Sequence, residues 1–146
     1  MDSIAASGIK KADSVRADLG LNMFQPINVY DTCLKFEIDV RFRRINMEGM
    51  YISSDNPENS YIILSSLRPF SRRVFTCAHE LGHHLYGHGS QIDLIYQDNN
   101  ESDVYNQEER LVDTFASALL MPIAGVQLEF QKRKWDLKTA TPIQFF

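Results

Sequence analysis

Phe75-Thr76-Cys77-Ala78-His79-Glu80-Leu81-Gly82-His83-His84-Leu85 is the stretch from which the rest of the chain can be ordered. It contains the pattern H-E-x-x-H, and its spacing has a mechanical reason. At about 100° per residue, positions four apart lie on one helix face, so the imidazoles of His79 and His83 project together and can share one metal ion. Glu80 lies one step round the same side, within reach of a water at that metal but outside the donor pair, where a general base is needed. The short form of this reading is a zinc hydrolase.

The flanking apolar residues support a helix. Phe70, Val74, Cys77, Ala78, Leu81 and Leu85 recur at helical spacing and form one stripe, which predicts an amphipathic helix from about Pro69 to Tyr86. His79 and His83 fall opposite the centre of that stripe, so they are expected to face water or a cleft rather than the core. Gly82 costs roughly 1 kcal/mol in a helix interior relative to Ala, a cost that a close approach by another backbone or by the metal site would explain.

A catalytic zinc usually takes three side chains and keeps one position for water, so a third ligand is required. The metzincin extension would need Gly at position 86 and His at position 89, whereas the chain has Gly87 and His88, each one residue away. His88 is therefore an off-register candidate that reads more simply as a polar residue just past a helix end at Gly87. A better source is the run from Glu108 to Pro122, in which Val112, Phe115, Ala116, Leu119 and Leu120 mark a second amphipathic helix ended before the proline. Glu109 and Asp113, four apart, sit on the flank of its stripe. Unpaired burial of two carboxylates is costly, and the pair offers a resolution: Glu109 binds the metal while Asp113 accepts the other N–H of a ligating histidine. The alternatives are a solubilising acidic pair on an exposed helix, or Glu108 in place of Glu109 if the helix phase is off by one.

With both motifs in view, Arg72 to His83 followed by Glu109-x-x-x-Asp113-x-Phe115-Ala116-x-x-Leu119-Leu120-Met121-Pro122, the chain resembles the ImmA/IrrE family of metallo-endopeptidases over nearly its whole length. Carried across by position, the resemblance implies one Zn2+ per chain held by His79, His83 and Glu109, with Glu80 as general base and Asp113 behind a ligand. It also implies a bacterial or phage source and a protein substrate, a helix-turn-helix transcriptional repressor inactivated by proteolysis. That partner is a property of the family rather than of these residues. Family members usually continue with further helices. Thr141-Pro142-Ile143-Gln144 has the grammar of a helix start and only two residues follow it, so a truncated or short member is expected.

Composition is consistent with this. The chain has 146 residues, 44% of them hydrophobic, enough for one core, and a single domain over 1–146 is expected. No apolar run approaches the roughly 20 residues of a membrane span, and no signal-peptide core opens the chain, so the expectation is a cytoplasmic protein without a membrane partner. Cys33 and Cys77 read as reduced core residues, and Cys77 points about 200° away from His79 on the helix. The net charge of -4 argues against general nucleic-acid binding. Arg41, Arg43, Arg44, Arg68, Arg72 and Arg73 then read as a solvated strand edge and helix start.

Along the remaining chain, Ile4 to Leu19 reads as a helix ending near Gly20, and Pro26 as a second helix start with Ile27, Tyr30, Leu34 and Cys33 on its apolar side. From Glu37 the period changes to alternation, Ile38, Val40 and Phe42 against Asp39, Arg41 and Arg43, as in a strand with one buried face. Gly49 to Ile52 and Tyr61 to Ser65 form a hairpin, and Gly89 to Gln107 is expected to be a mobile loop near the cleft. The fold class is α+β, a small three-stranded sheet packed on helices, zincin-like, with the H-E-x-x-H helix and a second ligand-bearing helix. Tyr61 to Ser65 is the strand expected to hold an extended substrate if it lies at an edge; the alternative is an interior strand.

Three functional classes fit these residues. One is a zinc endopeptidase, with His84, Tyr86, His88 and Tyr105 as candidates for steadying the oxyanion. Another is a non-catalytic metal-binding interaction module that regulates a repressor partner. The last is a zinc hydrolase of a small non-peptide substrate.

Overall fold

Two helices with apolar stripes and a set of short alternating strands have to bury those surfaces against one another, and the computed structural model shows how. It describes residues 2–56, 59–93 and 103–133. The elements run α1 (Ser3–Asp18), α2 (Val29–Lys35), β1 (Asp39–Arg43), β2 (Gly49–Ile52), β3 (Tyr61–Ser65), α3 (Phe70–Tyr86), β4 (Gln91–Asp93), α4 (Asp103–Leu120) and α5 (Ile123–Arg133). The sheet order is β1-β3-β2-β4, with β1 parallel to β3 and the other two pairings antiparallel.

The stripe of α3 lies on β2 and β3, α4 packs across α3, and α1 packs along α4. The core therefore follows α3 and α4: Cys77, Ala78 and Leu81 meet Ile62 and Leu64 of the sheet and Phe115, Ala116 and Leu119 of α4, all fully buried. Ala12 and Val15 close the side formed by α1. Gly82 sits at the α3–α4 crossing. A Cβ there would lie 3.0 Å from Phe115 Cδ1 and 3.1 Å from Val112 Cβ, so the missing side chain is what lets α4 come this near.

Arg16 ties these layers together. It is 1% exposed, and its guanidinium donates to the Leu119 carbonyl near the end of α4 and to the carbonyls of Asn22 and Gln25. A cation at a helix C-terminus satisfies carbonyls that have no partner within the helix. Cys33 and Cys77 are buried free thiols with their sulfurs 3.7 Å apart, matching the reading of both as reduced core residues. The contact with Cys33, together with burial, holds the Cys77 thiol protonated far above its ordinary range.

The α+β architecture is the expected one, and several details differ. The sheet gains a fourth strand, because Gln91–Asp93 covers the free edge of β2 that the expected loop would have left open. The other end of that expected loop, from Asp103, is the start of α4, while residues 94–102 lie outside the described residues. β3 is interior, paired on both sides, so its backbone has no free edge for a substrate strand. The second helix starts at Val29, not near Pro26, because the Asn28 side chain caps it by accepting from the Tyr30 and Asp31 N–H groups. That phase buries Val29 and Cys33 and leaves Leu34 66% exposed. β1 has little burial: Ile38 is in the core, but Phe42 is 40% exposed at the sheet edge, with the Arg73 guanidinium over its ring.

Three of the six clustered arginines form ion pairs among the described residues: Arg41 with Asp39, and Arg68 and Arg72 both with Glu48. α5 follows Pro122 as a further helix, and the expected helix start at Thr141 to Gln144 lies outside the described residues. No single described helix is long and apolar enough to cross a membrane.

Candidate metal centre

The α3–α4 seam brings the two motifs together. His79 and His83 project from α3 on the side away from the sheet, where α4 covers them. They are 6% and 0% exposed, and Glu80 is 0% exposed, so of the two expected settings, water or a cleft, water is the one the structure rules out. The reason lies outside α3: its polar face is a helix–helix contact, and the covering surface belongs to a segment almost thirty residues later in the chain.

Within the seam the donor atoms form a small triangle. His79 Nε2 is 3.2 Å from His83 Nε2, and each is 3.1 Å from a Glu109 carboxylate oxygen, His79 from Oε2 and His83 from Oε1. A tetrahedron with bonds of about 2.0–2.1 Å to nitrogen and oxygen has edges of about 3.3 Å, close to the separation of the two Nε2 atoms. The two carboxylate oxygens each face a different histidine, and one ligand atom from each of the three residues lies within 4.8 Å of the others. Two neutral imidazoles and one carboxylate are also a donor set that zinc accepts. His79, His83 and Glu109 thus form a buried group compatible with a metal ion. It is Glu109, not Glu108, that enters the group.

The electrostatics of Glu109 favour its ionised form. Burial raises its pKa, but hydrogen bonds from His79 and His83 and their charges outweigh that and bring the carboxyl down to about 2.

Behind the triangle, each histidine uses its second nitrogen. His79 Nδ1 lies 2.7 Å from Asp113 Oδ1, the contact expected of the E-x-x-x-D pair. Glu109 and Asp113 reach the same ring from successive turns of α4, one at Nε2 and one at Nδ1. His83 Nδ1 lies 3.0 Å from His88 Nδ1, so His88 stands behind a ligand rather than joining the group. The sequence signal for this is Gly87-His88 just after the helix, which reads as an off-register donor, a polar residue past the helix end or an oxyanion candidate, but not as a partner of His83.

The other candidates for steadying an oxyanion are engaged elsewhere. His84 Nδ1 is 2.7 Å from the Tyr51 hydroxyl on β2, and Tyr86 stacks on His88 and donates to the Ser7 carbonyl. Burial lowers the pKa of His84 and, foremost among several causes, of His88. Tyr105 lies on α4 one turn before Glu109.

The model of one protein family, Peptidase_M78, described as the IrrE N-terminal-like domain, matches residues 33–144. No curated protein matches the chain. The matched span runs from Cys33 on α2 past both ligand-bearing helices, so it includes every residue of the buried group.

Proposed function

The chain belongs to this ImmA/IrrE-type family of metallopeptidases, and on that premise we propose that it is a zinc-dependent endopeptidase cleaving a regulatory protein, in the first place a helix-turn-helix transcriptional repressor. The observation that carries the reading is the enclosed triangle of His79, His83 and Glu109 beside a buried Glu80. In this account the three side chains hold one zinc, and Asp113 fixes the ring of His79. Bound there, zinc supplies a Lewis acid for the scissile carbonyl and makes water acidic enough to ionise near neutral pH.

The chain's own residues do the rest. Glu80, next to His79 on α3, takes a proton from the attacking water as its oxygen bonds to the carbonyl carbon. It then delivers that proton to the nitrogen as the carbon–nitrogen bond breaks. The seam excludes bulk water from this carboxylate, which strengthens its interaction with developing charge. The repressor as substrate is supported by the family alone, and a cytoplasmic setting goes with that class of partner.

The test is incubation of the zinc-loaded chain with the repressor encoded nearest to it, followed by mass spectrometry of the products. The reading predicts two fragments with new termini, formed by the wild type and absent after Glu80→Gln or chelation. An intact repressor that nevertheless binds the chain and loses its operator would support a non-catalytic interaction module instead.

A further inference from the structure

The ring of His83 is 0% exposed, and its second nitrogen has to be accounted for. If Nε2 gives its lone pair to a metal, the neutral imidazole carries its proton on Nδ1, and a buried N–H without an acceptor is costly. The atom at hydrogen-bond distance is His88 Nδ1, 3.0 Å away. We infer that His88 is a positioning residue whose Nδ1 accepts the Nδ1–H of His83, fixing the tautomer and ring plane that aim His83 Nε2 at the metal. This rests on the metal-site reading above.

The helix end is built to make that contact. Gly87 has φ 69°, in the left-handed region that glycine enters without strain. Its N–H donates to the His84 carbonyl, and the His88 N–H donates to the His83 carbonyl. These are the two bonds of a Schellman turn, in which the chain doubles back over the last helical residues. A side chain five positions after His83 therefore returns over its ring instead of continuing past the helix, and the two rings meet edge to face at 5.2 Å. Tyr86 holds the plane of the acceptor, stacking on His88 at 5.6 Å with 12° between the rings.

The arrangement makes the two histidine ligands unequal. His79 is backed by the Asp113 carboxylate, and His83 by an imidazole. A carboxylate acceptor raises the basicity of the ring it holds. With one carboxylate behind the pair rather than two, less negative charge reaches the metal, which leaves it a stronger Lewis acid.

The experiment uses the zinc-loaded full chain. In the wild type, a 15N–15N coupling across the N–H···N bond between His83 and His88 is expected, together with a slowly exchanging Nδ1 proton on His83. His88→Leu, which fills the space but accepts nothing, should weaken zinc binding by roughly 10- to 100-fold in competition with a chelator, the usual effect of losing such a partner. His88→Gln, whose carbonyl can accept, should recover most of that loss, which a purely packing role would not produce. A zinc-loaded wild type lacking the coupling, or His88→Leu binding zinc as tightly as the wild type, overturns the inference. A wild type that takes up no zinc overturns the metal reading itself, so the two failures are distinct. The coupling is measured on the wild type and does not depend on any variant folding.

Discussion

At the residue scale the account divides the labour among neighbouring side chains that differ in what they can accept. Glu80 is fully buried one position after His79, so its replacement by the isosteric amide is the cleanest probe of proton transfer. Glu80→Gln should keep the fold and the metal while lowering turnover by at least about 100-fold, the lower range for loss of a general base. Equal turnover of the authentic substrate would reject Glu80 as the base. Asp113 tests a different role, because its Oδ1 lies 2.7 Å from His79 Nδ1 although its side chain is 55% exposed. A solvated acid with no role at the metal would change zinc affinity little when removed. Asp113→Ala should instead lower it by roughly 10- to 100-fold, measured against a competing chelator.

At the element scale the site depends on how closely α4 crosses α3, and Gly82 sets that distance. Gly82→Ala gains about 1 kcal/mol of helix propensity. It also places a methyl group 3.0 Å from the Phe115 ring and 3.1 Å from Val112, both fully buried, and overpacking of this kind costs about 1–3 kcal/mol. The expected outcome is a small net loss of stability in urea, with a clear loss of zinc affinity as α4 moves out and carries Glu109 with it. Higher stability with unchanged zinc affinity would contradict this view of the crossing.

The same elements show what was legible in advance. The stripes of α3 and α4 could be read because apolar residues recur in them at helical spacing, and the strands Gly49–Ile52 and Tyr61–Ser65 because turn residues lie between them. The contact of the second helix with His79 and His83 follows from the Glu109 and Asp113 reading, but the choice between water and a cleft could not be made, since how closely α4 covers them is not encoded in any local pattern. β4 pairs through its backbone, which leaves little trace in side-chain pattern, and its place is set by the open edge of β2. α5 leaves little sequence signal because its apolar face is shallow: Ile123 is 53% exposed, and the described residue it buries is Gly125. His88 was visible as a residue but not as a partner, because the backward turn at Gly87 decides where its ring goes.

At the scale of the whole molecule, one stabilising residue lies apart from the metal group. Arg16 sits at the junction of α1, α4 and the Asn22–Gln25 segment. Hydrogen bonds to a charged group contribute about 1.5–3 kcal/mol each, and the cost of burying the guanidinium offsets much of their sum. Arg16→Met should therefore lower unfolding stability by about 3 kcal/mol while leaving zinc stoichiometry intact, since no ligand touches Arg16. The central claim is narrower: two distant helices exist in this register in order to close three donors around one metal. Metal analysis of the purified full chain and of His79→Ala, His83→Ala and Glu109→Ala tests it directly. The account predicts about one zinc per wild-type chain and almost none in any of the three folded variants. Zinc retained at the wild-type level in the histidine variants would contradict it.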